Sequence, residues 1–567
     1  MKRIKRYQNI FRGVRIPWVM LAVLLILNII ESHVFLEQTT LTADIIDTSQ
    51  KAINANQLVR FIVVLLVNSA LSISINYING WTDQKLSHGV RNKLWNKLMH
   101  LPTRYYDQES GDTLVSRVTT DSDHSATYFN IAIKFVSTVY ASAVAVRQMY
   151  RYSPQLTFYM LIAMPILLTI SALVGKLSFT ANKKAQVAFA DALGYLVERT
   201  RNLRLIKAAR MEHAEQQAGK KWFDRQFQVS LLSTTVNSLT AALIPIFGGV
   251  GIVVSFVMVG ILVQEGVITV GKLVGFYTLS GLLSAHMLTF LQLYASLKEA
   301  NGRLDKVAEL LETPDEKQEG IEFDVADADL VAENVSFSYS DTPTLNGVNF
   351  RIPKGQITAI VGPNGAGKST LFKLLERMYD PDSGMLRFGE EDIKKYDLSS
   401  WRGSFAIVSQ DKPLLSGTVR ENILYGVRRK VEEDELIRVA KLANIYDFVM
   451  ATPGGFDAPV GMGGSNFSGG QRQCIAIARA MMRNPDYLLL DEATSNLDAK
   501  SEKMVSQALT NLMKGRTTVM IAHNYSATRD ATHIVVMKDG KVEAEGSPEE
   551  LLASNEYYRA FACKSSA

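Results

Sequence analysis

The sequence predicts an α-helical six-span membrane domain with long cytoplasmic helix extensions, followed by an α/β domain of the P-loop type. Three observations carry this. Long apolar stretches bounded by charge recur through residues 1–311. A short apolar strand pattern runs into GPNGAGKST and then into a helical pattern at residues 356–379. The charge also divides: residues 1–311 hold 32 Lys+Arg and 19 Asp+Glu, a net of +13, whereas residues 312–567 hold 29 and 37, a net of −8. The whole-chain charge of +5 and mean hydropathy of +0.05 average over these unlike halves.

The apolar stretches are 17–36, 58–78, 158–174, 239–263 and 273–291, with a sixth at about 131–146 interrupted by Lys134. A spanning helix needs roughly 20 mostly apolar residues. Backbone groups in lipid must be satisfied internally, so each stretch is read as a helix in the bilayer. Lys2, Arg3, Lys5, Arg6, Arg12 and Arg15 precede the first stretch without an acid. The positive-inside rule keeps that end cytoplasmic. The stretch is too long for a secretory signal, and no small-residue cleavage site follows it. Ile4, Tyr7, Ile10, Phe11 and Val14 share a helical face, so residues 1–16 are expected to lie along the inner leaflet.

Residues 37–56, with Asp44 and Asp47, then fall outside, and six crossings leave both termini cytoplasmic. The long polar segments 81–129 and 183–228 fall on the cytoplasmic side. Leu86, Val90, Leu94 and Leu98 recur there at helical spacing, so the spans are expected to continue into the cytoplasm. Residues 312–329, acidic with a Pro and a Gly, read as an exposed linker before a domain at 330–567. Two cysteines, Cys474 and Cys563, exclude a disulfide scaffold, and no CxxC or Cys/His cluster suggests zinc. The composition is too apolar for disorder.

In the second half, strand, glycine-rich loop and helix follow one another, which is the context a phosphate-binding loop requires. Its residues are Gly362, Pro363, Asn364, Gly365, Ala366, Gly367, Lys368, Ser369 and Thr370. Glycines let backbone N–H groups curl around phosphate oxygens, and the helix N-terminus adds its positive dipole. Lys368 can place a charge on the β/γ-phosphates and Ser369 can ligate Mg2+. A second strand pattern, 487–490, ends in Asp491 and Glu492. An acid there is the second Mg2+ partner. Glu492 stands where a carboxylate could accept a proton from water.

Residues 466–473 read NFSGGQRQ, which resembles the signature segment of the ATP-binding-cassette (ABC) proteins. The order of motifs is also similar to that family: P-loop, Gln410 in IVSQ, signature, LLLDEATSNLD, and IAHN with His523. Tyr339 in FSYSDTPTLNGV matches its adenine-stacking aromatic. YYDQESGDTLVSRVTTDSD (105–123) and GYLVERTRNLRLIKAARMEHAE (194–215) resemble the two cytoplasmic coupling loops of its exporter-type membrane domain. The resemblance covers essentially all 567 residues.

It implies a half-transporter with an α/β P-loop ABC ATPase domain, which works as a dimer, expected to be a homodimer. Two ATP molecules would lie between head-to-tail cassettes. Lys368, Ser369 and Thr370 would bind ATP on one subunit, while Ser468, Gly469 and Gly470, followed by Gln471, would face the γ-phosphate held by the partner. Asp491 would position Mg2+, Glu492 would polarise the attacking water, and His523 would bridge the γ-phosphate and the opposite subunit. Gln410 would sense Mg2+, and Asp498 would lie at the dimer seam.

Three positions depart from the family pattern. Phe467 replaces a leucine, Met462 stands where many relatives carry a glutamate that links cassette to coupling loops, and Asn524–Tyr525 replace an Arg-Leu pair. The implied function is ATP-driven export of amphipathic cargo (peptide, lipid or drug-like compound) by alternating access. An importer of a metal chelate and a non-transporting ATP-gated sensor or channel are the alternatives. Ionisable groups within spans usually face a cavity or a partner. Lys134 and Arg147 on the third span and His286 on the sixth are therefore the candidate cargo contacts, the two cations for an anionic group. A bacterial plasma membrane is expected, since the Asn-x-Ser/Thr triplets at Asn334, Asn466 and Asn524 avoid outer loops. Six spans make a nucleic-acid partner improbable.

Overall fold

The computed structural model describes residues 2–49, 55–264, 268–324, 328–340, 342–409, 414–491 and 498–564. The side chains of 2–5, 49, 163–168, 170–172, 174, 175, 240, 241, 243–264, 291, 499, 526, 527 and 564 lie outside that description. Two compact units form: Met1–Met99 with Gly111–Thr313, and His100–Ser110 with Pro314–Ala567.

The first unit is all helix. Helix α1 (Lys2–Phe11) buries Tyr7 and Ile10. The Tyr7 hydroxyl donates to Asp305 at 3.0 Å, and Lys93 Nζ donates to the Arg12 carbonyl at 2.8 Å just past the end of the helix. Helix α2 (Trp18–Ser49) and α3 (Ala55–Met99) follow. The segment expected outside from residue 37 is thus helical as far as Ser49. It contains no Gly or Pro to end the helix. Its threonines Thr39, Thr42 and Thr48 turn their hydroxyls back to carbonyls four residues earlier, which satisfies the hydroxyls within the helix.

Helix α3 has 45 residues, and a rise of about 1.5 Å per residue makes it roughly twice as long as a ~30 Å hydrocarbon core. Its excess length carries Leu86, Val90, Leu94 and Leu98, all buried. The cytoplasmic extension read from their spacing is therefore a continuation of the same helix. A π-turn (Arg117–Asp121) joins α5 (Gly111–Ser116) to α6 (Ser122–Tyr152), and its buried Asp121 pairs with Arg303 at 3.3 Å. Helix α7 (Pro154–Arg201) starts on a Ser153 cap with proline in its first turn. Helices α8 (Leu203–Ala208), α9 (Glu212–Gln264) and α10 (Val270–Glu312) complete the unit.

Among the described residues, four helices are long and apolar enough to cross a membrane: Trp18–Thr48, Ala55–Met99, Gly111–Tyr152 and Val270–Glu312. The apolar stretches 158–174 and 239–263 fall within α7 and α9, where most of those side chains lie outside the description.

The second unit begins with α4 (Thr103–Gln108). Its described residues form ten strands: β1 (Leu330–Ser338), β2 (Pro343–Ile352), β3 (Ile357–Val361), β4 (Ser383–Phe388), β5 (Glu391–Asp392), β6 (Phe405–Val408), β7 (Tyr487–Asp491), β8 (Thr517–Ile521), β9 (His533–Lys538) and β10 (Lys541–Gly546). Strands β2-β1-β4-β5 form an antiparallel sheet. The other sheet has the order β10-β9-β3-β8-β7-β6, parallel except for β10 at its edge. The β3 run is apolar on both faces, as a doubly covered parallel strand must be.

The helices of this unit are α11 (Lys368–Leu375), α12 (Leu398–Gly403), α13 (Val419–Leu424), α14 (Glu433–Leu442), α15 (Tyr446–Ala451), α16 (Gly469–Arg483), α17 (Ala499–Met513), α18 (Pro548–Ser554) and α19 (Glu556–Lys564). One core lies between the sheets and α11, with Phe337, Phe350 and Leu374 among its members. A second gathers α13 to α17 around Cys474, Ile477 and Leu512.

The stretch expected as an exposed linker is partly docked. Phe323 is buried edge-on against Trp401 at 4.8 Å, and Glu316 pairs with Arg402 at 2.7 Å. A burial of this kind depends on long-range partners and has no local periodicity to announce it. Trp401 is itself fully buried, stacks on Tyr396 and donates from Nε1 to the Leu375 carbonyl at 2.9 Å. Replacing Trp401 with alanine should cost about 3–5 kcal/mol. Calorimetry of the full chain in lipid nanodiscs should show the transition of the second unit lowered by several degrees. An unchanged transition would show that this core does not limit stability.

Candidate nucleotide site

The parallel sheet sets the geometry. Strand β8 lies between β3 and β7, so the carboxyl ends of three neighbouring strands meet at one edge. Ile360 and Asp491 both pair with Ile521, and a strand spacing of about 4.8 Å puts Asp491 roughly 10 Å across the sheet from Ile360. The P-loop leaves β3 here, Asp491 ends β7, and His523 follows β8 by two residues. In open α/β sheets the crevice beyond these ends is where ligands bind.

The P-loop demands glycine. Gly367 has φ +96°, and a Cβ on it would stand 2.5 Å from Leu345. At Gly362 a Cβ would reach within 2.2 Å of the Met537 carbonyl oxygen. The loop then enters α11, whose N-terminus offers unbonded N–H groups. Lys368 is buried, and its ammonium donates to the carbonyls of Gly362 at 2.8 Å and Pro363 at 3.0 Å. That places the cation in the curl of the loop. Ser369 is exposed beside it, where its hydroxyl is open to a metal bound with phosphate, while Thr370 is buried. This is a donor-rich concavity that fits the phosphates of ATP.

Tyr339 is held over the same helix. Its hydroxyl lies 3.4 Å from the Thr370 hydroxyl, and Lys373 places its ammonium 5.1 Å from the ring centroid. Phe337 and Tyr379 brace the ring edge-on, leaving it 39% exposed as a surface on which a base can stack. Lys373 and Tyr379 escaped the sequence reading. Lys373 lies within α11 and Tyr379 four residues past its end, and no local pattern in the sequence points to either.

The signature segment folds as a helix cap. Ser468 accepts from the Gln471 N–H at 3.3 Å, while the Gln471 side chain accepts from the Ser468 N–H at 2.9 Å. This reciprocal box starts α16 and leaves Gly469 and Gly470 at its positive end. Gly470 also packs where a Cβ would lie 2.5 Å from that of Ser501. Ser501 in turn donates its N–H to Asp498 at 3.1 Å, and these hydrogen bonds hold the Asp498 carboxyl below the usual range. Signature and Asp498 thus form one packed corner. Phe467 is buried against Phe448, so the leucine it replaces was a core position. Met462 lies on a 3-10 turn (Met462–Gly464) with 87% of its surface exposed. His523 is exposed. Gln410 and Glu492 lie outside the described residues.

Of the candidate cargo contacts, Lys134 and Arg147 are exposed. His286 lines a partly open cavity of about 170 Å³ bordered by α2, α3, α6 and α10, together with Glu31, Asn68 and Phe35. Glu31 and Asn68 were missed. Both are polar residues inside apolar stretches, a signal as strong as that of Lys134.

A multi-span helical unit and a P-loop unit in one chain define a membrane-embedded ATPase. Comparison with known proteins specifies the kind. Residues 21–287 match the ABC transporter transmembrane region, and residues 345–495 match the ABC transporter ATP-binding family. The sequence is 30% identical to a multidrug resistance ABC transporter ATP-binding and permease protein of Lactococcus lactis subsp. cremoris, over 98% of this chain and 95% of that one. It is 31% identical to an ATP-dependent lipid A-core flippase of Syntrophus aciditrophicus, over 88% of this chain and 84% of that one. The fold matches a bacterial Atm1-family ABC exporter solved with ATP bound, with a TM-score of 0.80 at 23% identity over 98% of this chain and 99% of that one. The chain belongs to the ABC transporters. It is a multi-pass membrane protein with an exporter-type fold and an ATPase coupled to transport.

One acid behind the site titrates near neutrality. Burial pushes the Glu376 carboxyl up to about 7, Asp491 adds to the rise, and Arg402 and Lys373 oppose it. The folded protein therefore holds a proton that the unfolded chain releases above about 4.5. Stability falls as pH rises from about 4.5 to 7, by an amount on the order of 3 kcal/mol, and the loss is complete above 7. Glu376→Gln should raise the melting temperature of the second unit at pH 8 and leave it unchanged at pH 5. Equal effects at both pH values in calorimetry would show that Glu376 does not titrate in this window.

Proposed function

We propose that two copies of this chain form a homodimeric exporter that moves amphipathic cargo outward by alternating access, driven by two ATP sites shared between the cassettes. The observation that carries this reading is the fusion of a P-loop unit to a membrane unit whose cavity mixes apolar walls with a few polar groups. The cargoes named for the two relatives, drugs and lipid A-core, are themselves amphipathic or act at the membrane, which supports the class without naming a compound.

In this reading Lys368 and Thr370 hold the phosphates. Ser369 and Asp491 position Mg2+, which would supply charge neutralisation at the β- and γ-phosphates, and Gln410 senses it. Glu492 accepts the proton of the attacking water, and His523 and Asp498 secure the closed seam. Ser468, Gly469 and Gly470 meet the γ-phosphate of the partner across that seam, where the capped end of α16 supplies its dipole. Both sites hydrolyse ATP. The basic N-terminal segment and both termini are cytoplasmic, in a bacterial plasma membrane.

Glu492→Gln should retain ATP binding and lower turnover by about 100-fold or more, the scale of a lost general base. Radiolabelled ATP retention and phosphate release from the same preparation check this. Turnover at the wild-type rate would remove Glu492 from the role. Direction is tested with inside-out vesicles: ATP-dependent accumulation of a fluorescent amphiphile in the lumen is expected, and ATP-dependent loss from the lumen would overturn export.

A further inference from the structure

Within the first unit, one cavity of about 170 Å³ has a lining whose chemistry is one-sided. Its walls include Phe35, Leu36, Leu279 and Leu282. Its polar side chains are Glu31, Ser32, Asn68 and His286; the Ser32 hydroxyl donates to the Asn28 carbonyl at 2.8 Å, and each of the other three presents an acceptor. Glu31 contributes a carboxylate that Ser72 hydrogen-bonds, and it forms no ion pair among the described residues. The Asn68 amide donates to Gln38, while its Oδ1 is buried without a partner. His286 supplies the third. The Ser142 hydroxyl spends its single proton on the Thr138 carbonyl at 2.7 Å, so toward His286 Nδ1, at 2.9 Å, it accepts. Nδ1 therefore carries the hydrogen, and Nε2 of the neutral ring keeps its lone pair.

Among the described residues no Lys or Arg lines the cavity, and neither Lys134 nor Arg147 belongs to its lining. Among the described residues no three His, Cys, Asp or Glu converge as a metal site would require. A carboxylate, an amide oxygen without a donor and an imidazole lone pair inside apolar walls call for a ligand with positive charge and N–H groups on an apolar body. A volume of this size takes a head group or a single ring rather than a whole drug.

We propose that this cavity is a cargo subsite for the protonated amine of an amphipathic molecule, with Glu31 as counter-charge and Asn68 Oδ1 and His286 Nε2 as acceptors for its N–H groups. The proposal deepens the exporter reading and rests on it for the word cargo. It reverses the charge sense expected from Lys134 and Arg147.

The test uses the full chain in phosphatidylcholine nanodiscs and three probes of equal chain length: dodecylammonium, dodecanol and dodecyl sulfate. Saturable dodecylammonium binding is expected, at least tenfold tighter than that of dodecyl sulfate. Glu31→Gln should remove this preference while dodecanol binding and the melting temperature stay unchanged. Retention of the preference by a folded Glu31→Gln protein overturns the proposal, as does equal binding of the sulfate by wild type. Asn68→Asp keeps the question decidable if Glu31→Gln does not fold: a second carboxylate should tighten dodecylammonium several-fold, and unchanged affinity counts against the site.

Phosphatidylethanolamine in the discs lowers the apparent affinity if lipid ammonium groups enter, and leaves it unchanged if only free amines do; either result supports an ammonium site. ATP hydrolysis in the same discs separates the two readings. Glu31-dependent binding with no stimulation by any probe would sink transport and keep the site. Stimulation by dodecanol or dodecyl sulfate without a Glu31-dependent preference would keep transport and sink the site.

Discussion

The Arg402 guanidinium is the interaction on which the second unit turns. It donates to the carbonyls of Glu376 at 3.1 Å and Arg377 at 2.8 Å, at the carboxyl end of α11. Its remaining donors make a two-pronged pair with Glu316, at 2.9 and 2.7 Å. A helix end needs partners for its last carbonyls, and a cation there also meets the negative end of the helix dipole. Glu316 then donates its own N–H to the His100 carbonyl at 2.8 Å. Thr103, in the same short segment, touches Met378 just past α11. One end of α11 thus carries Lys368 and Ser369, and the other is tied through Arg402 to the segment His100–Ser110. That segment is the covalent link between α3 and α5. Helix α11, eight residues long, thus has the phosphate loop at one end and the Arg402 knot at the other, both within the second unit.

Glu376 belongs to the same knot. Its backbone carbonyl holds Arg402, while its side chain is half-buried near Asp491 and Lys373. Charged groups taken out of water are stabilised only by close partners of opposite sign. Arg402 already has one in Glu316, so it offers Glu376 weak relief. The result is a carboxyl that holds its proton into the neutral range, one helix removed from the edge where Asp491 stands. The cassette thereby couples linker, P-loop helix and a strand end through charges that compete for too few partners.

Much of this was legible in the sequence because it depends on neighbours along the chain. The glycines of the P-loop, the capping pair Ser468 and Gln471, and the apolar run of β3 are local patterns with local causes. Leu86, Val90, Leu94 and Leu98 announced a helix beyond the bilayer because a single face repeats every turn. What could not be read is what distant chain segments do to one another. Phe323 in an acidic stretch gives no sign of the Trp401 and Tyr396 rings that bury it. The helix past residue 36 persists with its threonine hydroxyls bonded back to the preceding turn, an outcome that a polar composition alone does not decide. Glu31 and Asn68 were overlooked for a different reason. Attention to cations in the spans passed over the acceptors, which become a set only when α2, α3, α6 and α10 bring them together.

The two sites invert the charge of the units that contain them. The half with a net charge of +13, residues 1–311, holds a cavity lined by a carboxylate, an amide oxygen and an imidazole, with no cation among its described lining residues. The half with a net charge of −8 builds a loop of backbone N–H groups around a buried ammonium. Net charge is a sum over surfaces that water and salt screen within about 8–10 Å. A ligand in a concavity meets the few unscreened groups that face it, whose orientation is set by φ angles, helix ends and the single proton of a hydroxyl such as that of Ser142. The sign of each half therefore describes its surface as a whole. The count of donors against acceptors describes what each site can hold, and for these two sites the counts point in opposite directions.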